Sequence, residues 1–541
     1  MPAKPSPRAF AAAFVALLAL AAPAGAQTPA GPLFAVPGGT IRAALEGDVV
    51  AAKGIPYAAP PLGRLRWRAP QPVVAWEGVR DATRYGADCM QVPVDDEAAP
   101  IGTTPAEDCL FVNVWRPASV PAGTRLPVLV WIHGGGFVNG GSSAPVLAGA
   151  ELARRGLVVV SLNYRLGRLG FFAHPALIAA REGAVGNFGT MDQIAALSWV
   201  RDSIAVFGGD PGAVTLVGES AGGASVLTLL TVPAARGLFQ RAMILSGGGR
   251  QALLARPMTG GTPLRPAAAD GDAAFAAARG IAGTGADALE RLRALPAAEV
   301  VAGVSLPILL DGVLKGTAKF DGTPMIDGTL VTAIPQDVFA AAAEAPVPVV
   351  IGTTALDLPL QFPRPPTEPF AWFGDDATAA RAAYDPTGGA LPLPLVLLGI
   401  GADMTMHEPA RFVARKVSAA GRRAWLYRFT YAAQSAKDRA NGAGHAQELP
   451  YLFGTVDARY GSAATDADRA VAVAFSGYAV NFAKTGDPNG PGLPRWPAFD
   501  PAATDLMNFT LDKGPEFGAD PRAARVKLVE KVADRLAAAP R

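Results

Sequence analysis

The chain has 541 residues, of which 50% are hydrophobic and 17% charged. This composition supports a sizeable buried core and excludes an intrinsically disordered protein. The formal net charge is +2, and cleavage of the N-terminal segment that carries Lys4 and Arg8 would remove two of the 48 basic side chains and none of the 46 acidic ones. A nearly neutral chain lacks a basic footprint, so we expect no nucleic-acid partner.

The first 26 residues have the pattern of a signal peptide. Lys4 and Arg8 supply positive charge, the apolar run 9–22 is shorter than the ~20 residues that cross a bilayer, and "AGA" at 24–26 matches a cleavage site. We therefore expect a periplasmic or secreted protein, with no membrane span after signal removal. An uncleaved N-terminal anchor is the alternative.

Cys89 and Cys109 are the two cysteines of the chain. An even count in an exported protein favours one disulfide. The residues between them include prolines, glycine and acids, as expected for an exposed loop. A pair of free buried thiols is the alternative.

Short apolar segments alternate with helical patterns along the chain. The predicted strands are 127–132, 157–164, 213–218, 241–247, 347–353 and 424–431. They are rich in Val, Ile and Leu on both faces, which is typical of strands buried in a parallel sheet. The segments between them, such as 191–207, have helical patterns. The sequence therefore predicts an α/β fold with a mostly parallel central sheet and helices on both faces.

Two long stretches interrupt the strand pattern, at about 250–315 and 358–423. Both contain alanine-rich helical pieces, and neither is set off by a linker. We interpret them as insertions over the active site of one catalytic domain, 27–541, that follows the signal peptide 1–26.

One serine lies between two glycines in "GESAG", where the strand 213–218 is predicted to run into a helix that begins near Ala221. A serine at such a junction must turn sharply to hold its oxygen above the sheet, and Gly218 and Gly222 relieve the crowding. The helix start also directs amide N–H groups toward the serine. We therefore predict Ser220 as the nucleophile; an inert serine in a tight junction is the alternative.

Three consecutive glycines follow another predicted strand, in "WIHGGGFVNGG" at 131–141. Without side chains, their amides can approach a substrate oxygen and stabilise the charge that develops on it. We assign the oxyanion donors to the amides of Gly135, Gly136 and Ala221. A merely flexible loop is the alternative.

The base is expected among the four histidines, because a hydroxyl becomes a strong nucleophile when an imidazole accepts its proton. In this kind of fold the acid and then the histidine follow the serine in the chain, which excludes His133 and His174. His445 follows the last predicted strand after a polar loop and is the better candidate. His407 lies in a helical pattern and is the alternative.

The acid of the triad is expected after the strand 347–353. Asp357 lies a few residues beyond that strand, where its carboxylate would hold the imidazole tautomer and stabilise the imidazolium. The alternatives for the triad acid are Asp375, Asp376 and Glu368. A helix N-cap is the alternative role for Asp357.

These pieces resemble the type-B carboxylesterase family of the α/β-hydrolase fold, which also includes the cholinesterases. The likeness extends from about residue 53 to residue 499. Its motifs include "EDCLFVNVW" (107–115), "HGGGF" (133–137), "NYRLG" (163–167), "GNFGTMDQIAALSWV" (186–200), "FGGDPGAVTLVGESAGG" (207–223) and "HAQELPYLFG" (445–454).

The resemblance implies a serine carboxylesterase that hydrolyses small-molecule esters through an acyl-enzyme. Ser220 matches the family's nucleophile and His445 its base, and the three assigned amides match its oxyanion hole. Asp357 falls at the acid position, where the family usually has glutamate in a "DEG" pattern and this chain has "LDL".

The resemblance also implies three structural pairs. The implied pairs are the disulfide Cys89–Cys109 and the structural ion pairs Arg66 with Glu107 and Arg165 with Asp192. Since the sequence shows neither a metal-ligand cluster nor a phosphate-binding loop, we expect no metal and no cofactor.

Two other functions are compatible with the same framework. A catalytically inactive binding or adhesion homologue typically loses the serine, whereas this chain keeps Ser220, His445 and the glycine triplet. An amidase or lactonase would use the same triad, so only a panel of substrates distinguishes it from an esterase.

A choline ester should have no advantage over a matched neutral ester. Cholinesterases hold the quaternary ammonium by a cation–π contact to an aromatic residue of the first disulfide loop, and residues 90–108 contain no Trp, Tyr or Phe. We expect butyrylcholine and its neutral isostere 3,3-dimethylbutyl butyrate to have similar kcat/KM values. A preference of roughly 30-fold for butyrylcholine, equivalent to a cation–π contact of about 2 kcal/mol, would contradict the prediction.

Overall fold

A computed structural model describes residues 31–250, 256–262, 266–315, 321–359, 369–437 and 441–538. The predicted signal peptide, 1–26, lies outside these residues. The strands are β1 Leu33–Val36, β2 Gly39–Glu46, β3 Val49–Pro56, β4 Val79–Ala82, β5 Phe111–Pro117, β6 Leu126–Ile132, β7 Val158–Leu162, β8 Phe171–Phe172, β9 Gly186–Asn187, β10 Gly209–Glu219, β11 Arg241–Leu245, β12 Val349–Thr354, β13 Ala424–Phe429, β14 Asp505–Thr510 and β15 Gly514–Ala519.

One large sheet has the strand order β1-β2-β3-β5-β7-β6-β10-β11-β12-β13-β14-β15, with β4 beside β2. The consecutive strands from β7 to β14 in this order run parallel, and the flanking pairs β5–β7 and β14–β15 are antiparallel. The six predicted strands are β6, β7, β10, β11, β12 and β13, which are neighbours in the parallel part. Their observed ends differ from the predicted ends by a few residues.

Helices flank the sheet between these strands. The α-helices are α1 Ala150–Arg154, α2 Gly167–Gly170, α3 Pro175–Ala180, α4 Phe188–Ser203, α5 Ala221–Thr231, α6 Ala268–Ala277, α7 Ala286–Ala294, α8 Ala297–Val301, α9 Leu306–Leu314, α10 Pro335–Ala340, α11 Ala377–Tyr384, α12 Leu393–Ala402, α13 Glu408–Ala419, α14 Leu449–Phe453, α15 Val456–Tyr460, α16 Asp466–Thr485 and α17 Ala523–Ala538. A π-helix, Asp403–His407, joins α12 to α13. Shorter 3-10 turns are Gly63–Leu65, Pro145–Leu147, Ile204–Phe207, Pro233–Ala235, Ala371–Asp376 and Gly461–Ala463.

The parallel strands are buried on both faces, which explains why they are apolar at nearly every position. Along β6, Val128, Val130 and Ile132 enter one hydrophobic core, and Leu129 and Trp131 enter the other. Successive side chains of a strand point to opposite faces, so this alternation requires cover on both sides. Helices α4, α5, α10 and α13 cover the first core, and α1, α14 and α16 cover the second.

The two predicted insertions are helical where the structure describes them. The first contains α6 to α9, and α9 lies against the triple-glycine turn: a Cβ placed on Gly136 would be 3.1 Å from Leu306 and Leu309. The second contains α11 and α12. Its last helix, α13, packs into the main core beside β12 and β13, the two strands that precede and follow it in the chain.

The three residue pairs implied by the family resemblance are present. Cys89 and Cys109 form a disulfide. The guanidinium of Arg66 contacts Glu107 at 2.5 and 2.8 Å, and that of Arg165 contacts Asp192 at 2.7 and 2.8 Å. Arg66 also donates to the carbonyls of Arg293 and Leu295, so it links the first insertion to the rest of the domain.

Among the described residues, no single helix is both long enough and apolar enough to cross a bilayer. The segment that contains α7, α8 and α9 meets the length and composition criteria only when Ala286–Ala294 and Ala297–Val313 are counted together, across a bend of 100°.

Candidate active site

Ser220 occupies the junction between β10 and α5. Its backbone dihedral angles are φ 56° and ψ −121°, an uncommon conformation for a residue with a side chain. Ser220 donates its N–H to the carbonyl of Leu245 on β11 and accepts from the N–H of Ala224, so the turn is fixed on both sides. Such strain persists where the surrounding structure over-determines it, and it is frequent at functional sites.

Glycines at this junction allow three backbone segments to approach one another. A Cβ on Gly218 would lie 2.4 Å from the carbonyl oxygen of Gly222, and a Cβ on Gly222 would lie 2.1 Å from the carbonyl oxygen of Ile132 at the end of β6. Both distances are shorter than any real Cβ contact. The crowding predicted from the sequence therefore arises from backbone atoms of the turn itself and of the neighbouring strand.

His445 and Asp357 are in direct contact. The distance between His445 Nδ1 and Asp357 Oδ1 is 2.6 Å. The loops that carry them are joined by a backbone hydrogen bond from Leu356 N–H to the Ala443 carbonyl, at 2.9 Å. This bond joins the two loops close to the point at which Asp357 contacts the imidazole.

The second carboxylate oxygen of Asp357 is held by two further donors. It accepts from the hydroxyl of Ser246 at 2.7 Å and from the N–H of Thr354 at 3.1 Å. Burial opposes ionisation of this carboxyl, but the charge and hydrogen bond of His445, with the donors around it, outweigh burial and lower the pKa of Asp357 to about 2. Asp357 is therefore an anion at neutral pH.

Glu219 places a second carboxyl beside the same imidazole. Its Oε1 lies 3.1 Å from His445 Nε2, without the alignment of a hydrogen bond, and among the described residues neither of its oxygens has a hydrogen-bond partner. Burial raises the pKa of Glu219 to about 7. Burial disfavours the imidazolium, but Glu219 and Asp357 together overcome this and raise the pKa of His445 to about 9.

The other candidate acids and base lie elsewhere. Asp375 is exposed, Asp376 pairs with Lys531 on α17 at 2.9 Å, and Glu368 lies outside the described residues. His407 is buried in the π-helix, where its ring contacts Asp403 at 3.1 Å and the Thr354 carbonyl at 3.0 Å. His407 therefore lies behind the loop that leads to Asp357.

The triple-glycine turn lies beside Ser220. A Cβ on Gly134 would be 3.0 Å from Ser220 Cβ and 2.6 Å from Glu219 Oε2. Gly135 and Gly136 have φ values of 98° and 65°, which glycine adopts without strain. Ala221, the third assigned donor, is the first residue of α5, so its N–H is one of those that the helix leaves unpaired.

His445 Nε2 has no hydrogen-bond partner among the described residues, so it is not bonded to Ser220 Oγ, and it lies 3.1 Å from Oε1 of the neighbouring residue Glu219. Catalytic hydrogen bonds are often long or poorly aligned when no substrate is bound. The structure thus brings the segments that carry Ser220, Asp357, His445 and the triple glycine together, with His445 Nε2 beside Glu219.

A cavity of about 240 Å³ opens beside the turn that carries His445. Its wall includes Asp95 and Glu97 of the disulfide loop, both exposed, and Tyr460 of α15. Glu97 forms an ion pair with Arg459. Exposed carboxylates are well hydrated and bind cations weakly, so these acids do not replace the absent aromatic residue of that loop.

The profile of the carboxylesterase family matches residues 32–364 and 397–528. The chain is 34% identical to fumonisin B1 esterase of Sphingopyxis macrogoltabida, over 89% of this chain and 87% of that protein. It is also 34% identical to para-nitrobenzyl esterase of Bacillus subtilis, over 88% and 95%, and 33% identical to pig liver carboxylesterase (Sus scrofa), over 83% of each. Two solved structures of para-nitrobenzyl esterase superpose with TM-scores of 0.75 and 0.74, at 33% and 32% identity, over 92% of this chain and 99% of theirs.

These likenesses and the sheet topology confirm the predicted α/β-hydrolase fold. The chain belongs to the carboxylesterase family and is a carboxylic ester hydrolase that acts on small-molecule esters.

Replacement of Glu219 by glutamine should extend activity to lower pH. A base must be neutral to accept a proton, and a negative neighbour favours the imidazolium, so removing that charge lowers the pKa of His445. We expect the acid limb of the kcat/KM profile to move to lower pH by about one pH unit or more. The control is Glu516→Gln, which changes an exposed glutamate on β15. An acid limb of the Glu219→Gln profile that stays in place or moves to higher pH would contradict this role of Glu219.

Proposed function

We propose that the protein hydrolyses esters through an acyl-enzyme on Ser220, with His445 as general base and acid and Asp357 as its anionic partner. The observation that carries this proposal is the 2.6 Å contact between His445 Nδ1 and Asp357 Oδ1. In the neutral imidazole, that contact fixes the tautomer in which Nδ1 carries the proton and Nε2 is free to accept one. Because the pKa of His445 is raised to about 9, the imidazolium must first release its Nε2 proton to solvent. The end of β10, where Ser220 lies, is on the Nε2 side of the ring.

The reaction begins as Ser220 Oγ attacks the carbonyl carbon of the ester and transfers its proton to His445 Nε2. Because Nε2 now lies beside Glu219, the imidazole must first shift from that carboxyl toward Oγ. The tetrahedral intermediate then collapses, the carbon–oxygen bond to the alcohol breaks, and the alcohol leaves with the proton from Nε2. A water molecule then gives a proton to the same nitrogen and attacks the acyl carbon. The second tetrahedral intermediate collapses, the bond between that carbon and Ser220 Oγ breaks, and Oγ takes the proton back from Nε2 as the acid leaves.

The negative oxygen of each tetrahedral intermediate would be stabilised by the N–H groups of Gly135, Gly136 and Ala221. Preorganised donors of this kind are usually the largest single contribution to acyl transfer. The position of Gly134 against Ser220 supports this assignment, since it holds the adjacent amides beside the nucleophile. The start of α5 adds the positive end of the helix dipole.

The pocket for the acyl or alcohol group is bounded in part by α9. Leu306 and Leu309 lie next to Gly136, and the buried ring of Phe137 follows it in the chain. These side chains favour an apolar substituent close to the carbonyl.

Ser220→Ala should abolish both hydrolysis of a 4-nitrophenyl ester and covalent labelling by an organophosphate, because both need the same oxygen. Intact mass should show one phosphoryl adduct on the wild type, located on the peptide that contains Ser220. Ser203→Ala, which removes another buried hydroxyl on α4, is the matched control and should keep both activities. Retention of ester hydrolysis by Ser220→Ala would overturn the proposed mechanism.

We also propose that the protein is exported to the periplasm or medium. The leader pattern of residues 1–26 supports this, and a disulfide between Cys89 and Cys109 is stable in an oxidising compartment.

Expression of the full chain in a Gram-negative host should give an extracytoplasmic protein whose N-terminal residue is Gln27. Terminal sequencing of the periplasmic and medium fractions measures this. Activity found only in the cytoplasm, with Lys4 and Arg8 still present, would contradict export.

A further inference from the structure

Two buried amide side chains, Gln91 and Asn139, hold the outer side of the triple-glycine turn. Gln91 belongs to the disulfide loop, two residues after Cys89, and Asn139 belongs to the turn itself. Their exposed fractions are 3% and 0%. The hydrogen bonds of the two amides go to other residues than Ser220, His445 and Asp357, so the proposed catalytic groups do not explain why these amides are buried here.

Gln91 is paired with the backbone of the turn at both ends of its amide. Its Nε2 donates to the carbonyl of Gly140 at 2.7 Å, and its Oε1 accepts from the N–H of Gly140 at 2.9 Å. The second Nε2 hydrogen goes to the carbonyl of Cys89 at 2.9 Å. Gly140 has φ +95°, so this side chain pairs with a backbone segment that glycine alone adopts readily.

Asn139 extends the pairing to two other segments. Its Nδ2 donates to Gln91 Oε1 at 3.0 Å and to the carbonyl of Val92 at 2.7 Å. Its Oδ1 accepts from the N–H of Leu306 at 2.7 Å, the first residue of α9. Every hydrogen of the two amide groups is therefore used, and the disulfide loop, the glycine turn and the first insertion meet at this pair.

Backbone hydrogen bonds within the same turn link Asn139 to the glycines. The carbonyl of Gly135 accepts from the N–H groups of Val138 and Asn139 at 3.1 and 2.9 Å. A displacement of Asn139 is thereby transmitted to the peptide that joins Gly135 to Gly136. That peptide carries one of the assigned oxyanion donors, whose direction decides how well charge on the substrate oxygen is stabilised.

We propose that Gln91 and Asn139 are positioning residues for the oxyanion hole, which they fix by pairing the glycine turn with the disulfide loop and with the N-terminus of α9. This inference rests on the proposed function, because it requires the amides of Gly135 and Gly136 to act on the substrate. Neither residue touches the substrate, and their effect is on the geometry of the donors.

The decisive variant is Gln91→Glu. An ionised glutamate has nearly the shape of glutamine but no hydrogen to donate, so a carboxylate would face the carbonyls of Cys89 and Gly140. We expect kcat/KM to fall by about 10-fold to 100-fold, mainly through kcat, which is less than the ~100-fold to 1000-fold cost of losing an oxyanion donor outright. Gln91→Met, which buries no charge, and Asn139→Asp should lower kcat/KM in the same direction.

A transition-state analogue separates a positioning role from a general loss of stability. An aliphatic trifluoromethyl ketone adds to the serine as a tetrahedral oxyanion, so its Ki should rise in proportion to the fall in kcat/KM across the three variants. Gln240→Glu is the matched control. The Gln240 side chain also accepts from a backbone N–H, that of Val214 at 2.8 Å, and donates to the Gly237 carbonyl. It lies at the amino ends of the parallel strands, whereas Ser220 lies at their carboxyl ends. The Gln240→Glu variant should leave kcat/KM and Ki unchanged.

The outcomes distinguish the inference from the function on which it rests. Unchanged kcat/KM and Ki in any of the three variants that retains the wild-type melting temperature would overturn the positioning role. A trifluoromethyl ketone that does not inhibit the wild type would instead count against the acyl-enzyme mechanism. Parallel changes in kcat/KM and Ki, with Gln240→Glu unaffected, would support the inference.

Discussion

The whole site depends on the strained backbone of Ser220 at the end of β10. This conformation exists because the ends of β6, β10 and β11 and the first turn of α5 converge on it with almost no space for side chains. Gly218 and Gly222 make that approach possible, and the parallel sheet supplies its rigidity, since its strands are buried on both faces. The packing of this large core thus offsets the strain energy of one residue.

Around this point the molecule buries acidic groups in two different ways. Asp357 is surrounded by donors and ionises readily, whereas Glu219 and Glu448 are fully buried and their oxygens have no hydrogen-bond partner among the described residues. Burial accordingly raises the pKa of both glutamates. In the proposed mechanism, ionised Glu219 would attract the imidazolium of His445 that forms during catalysis, but it also favours protonation of the free imidazole. The pH range of the enzyme therefore depends on which of these carboxyls carries a proton.

Much of this architecture could be predicted from the chain, because its signals are local. The six parallel strands are apolar runs, and the motifs around Ser220 and the triple glycine are contiguous. Glu219 and Ser246 were missed, although a signal for each exists: both lie where parallel strands end, at the edge where Asp357 and His445 also lie. The pairing of Gln91 with Gly140 has no local signal, since 49 residues separate them and only the folded chain brings them together.

The carboxyl ends of the parallel strands also show how hydrogen bonds from several loops place the carboxyl of Asp357. The hydrogen bond between Leu356 and Ala443 joins the loop of Asp357 to the loop of His445. Ser246 and Thr354 then fix the remaining carboxylate oxygen. The contact at His445 is thus a property of three loops as much as of one side chain. Because each loop follows a strand of the same sheet, the register of the parallel strands places the three loops beside one another and beside Ser220.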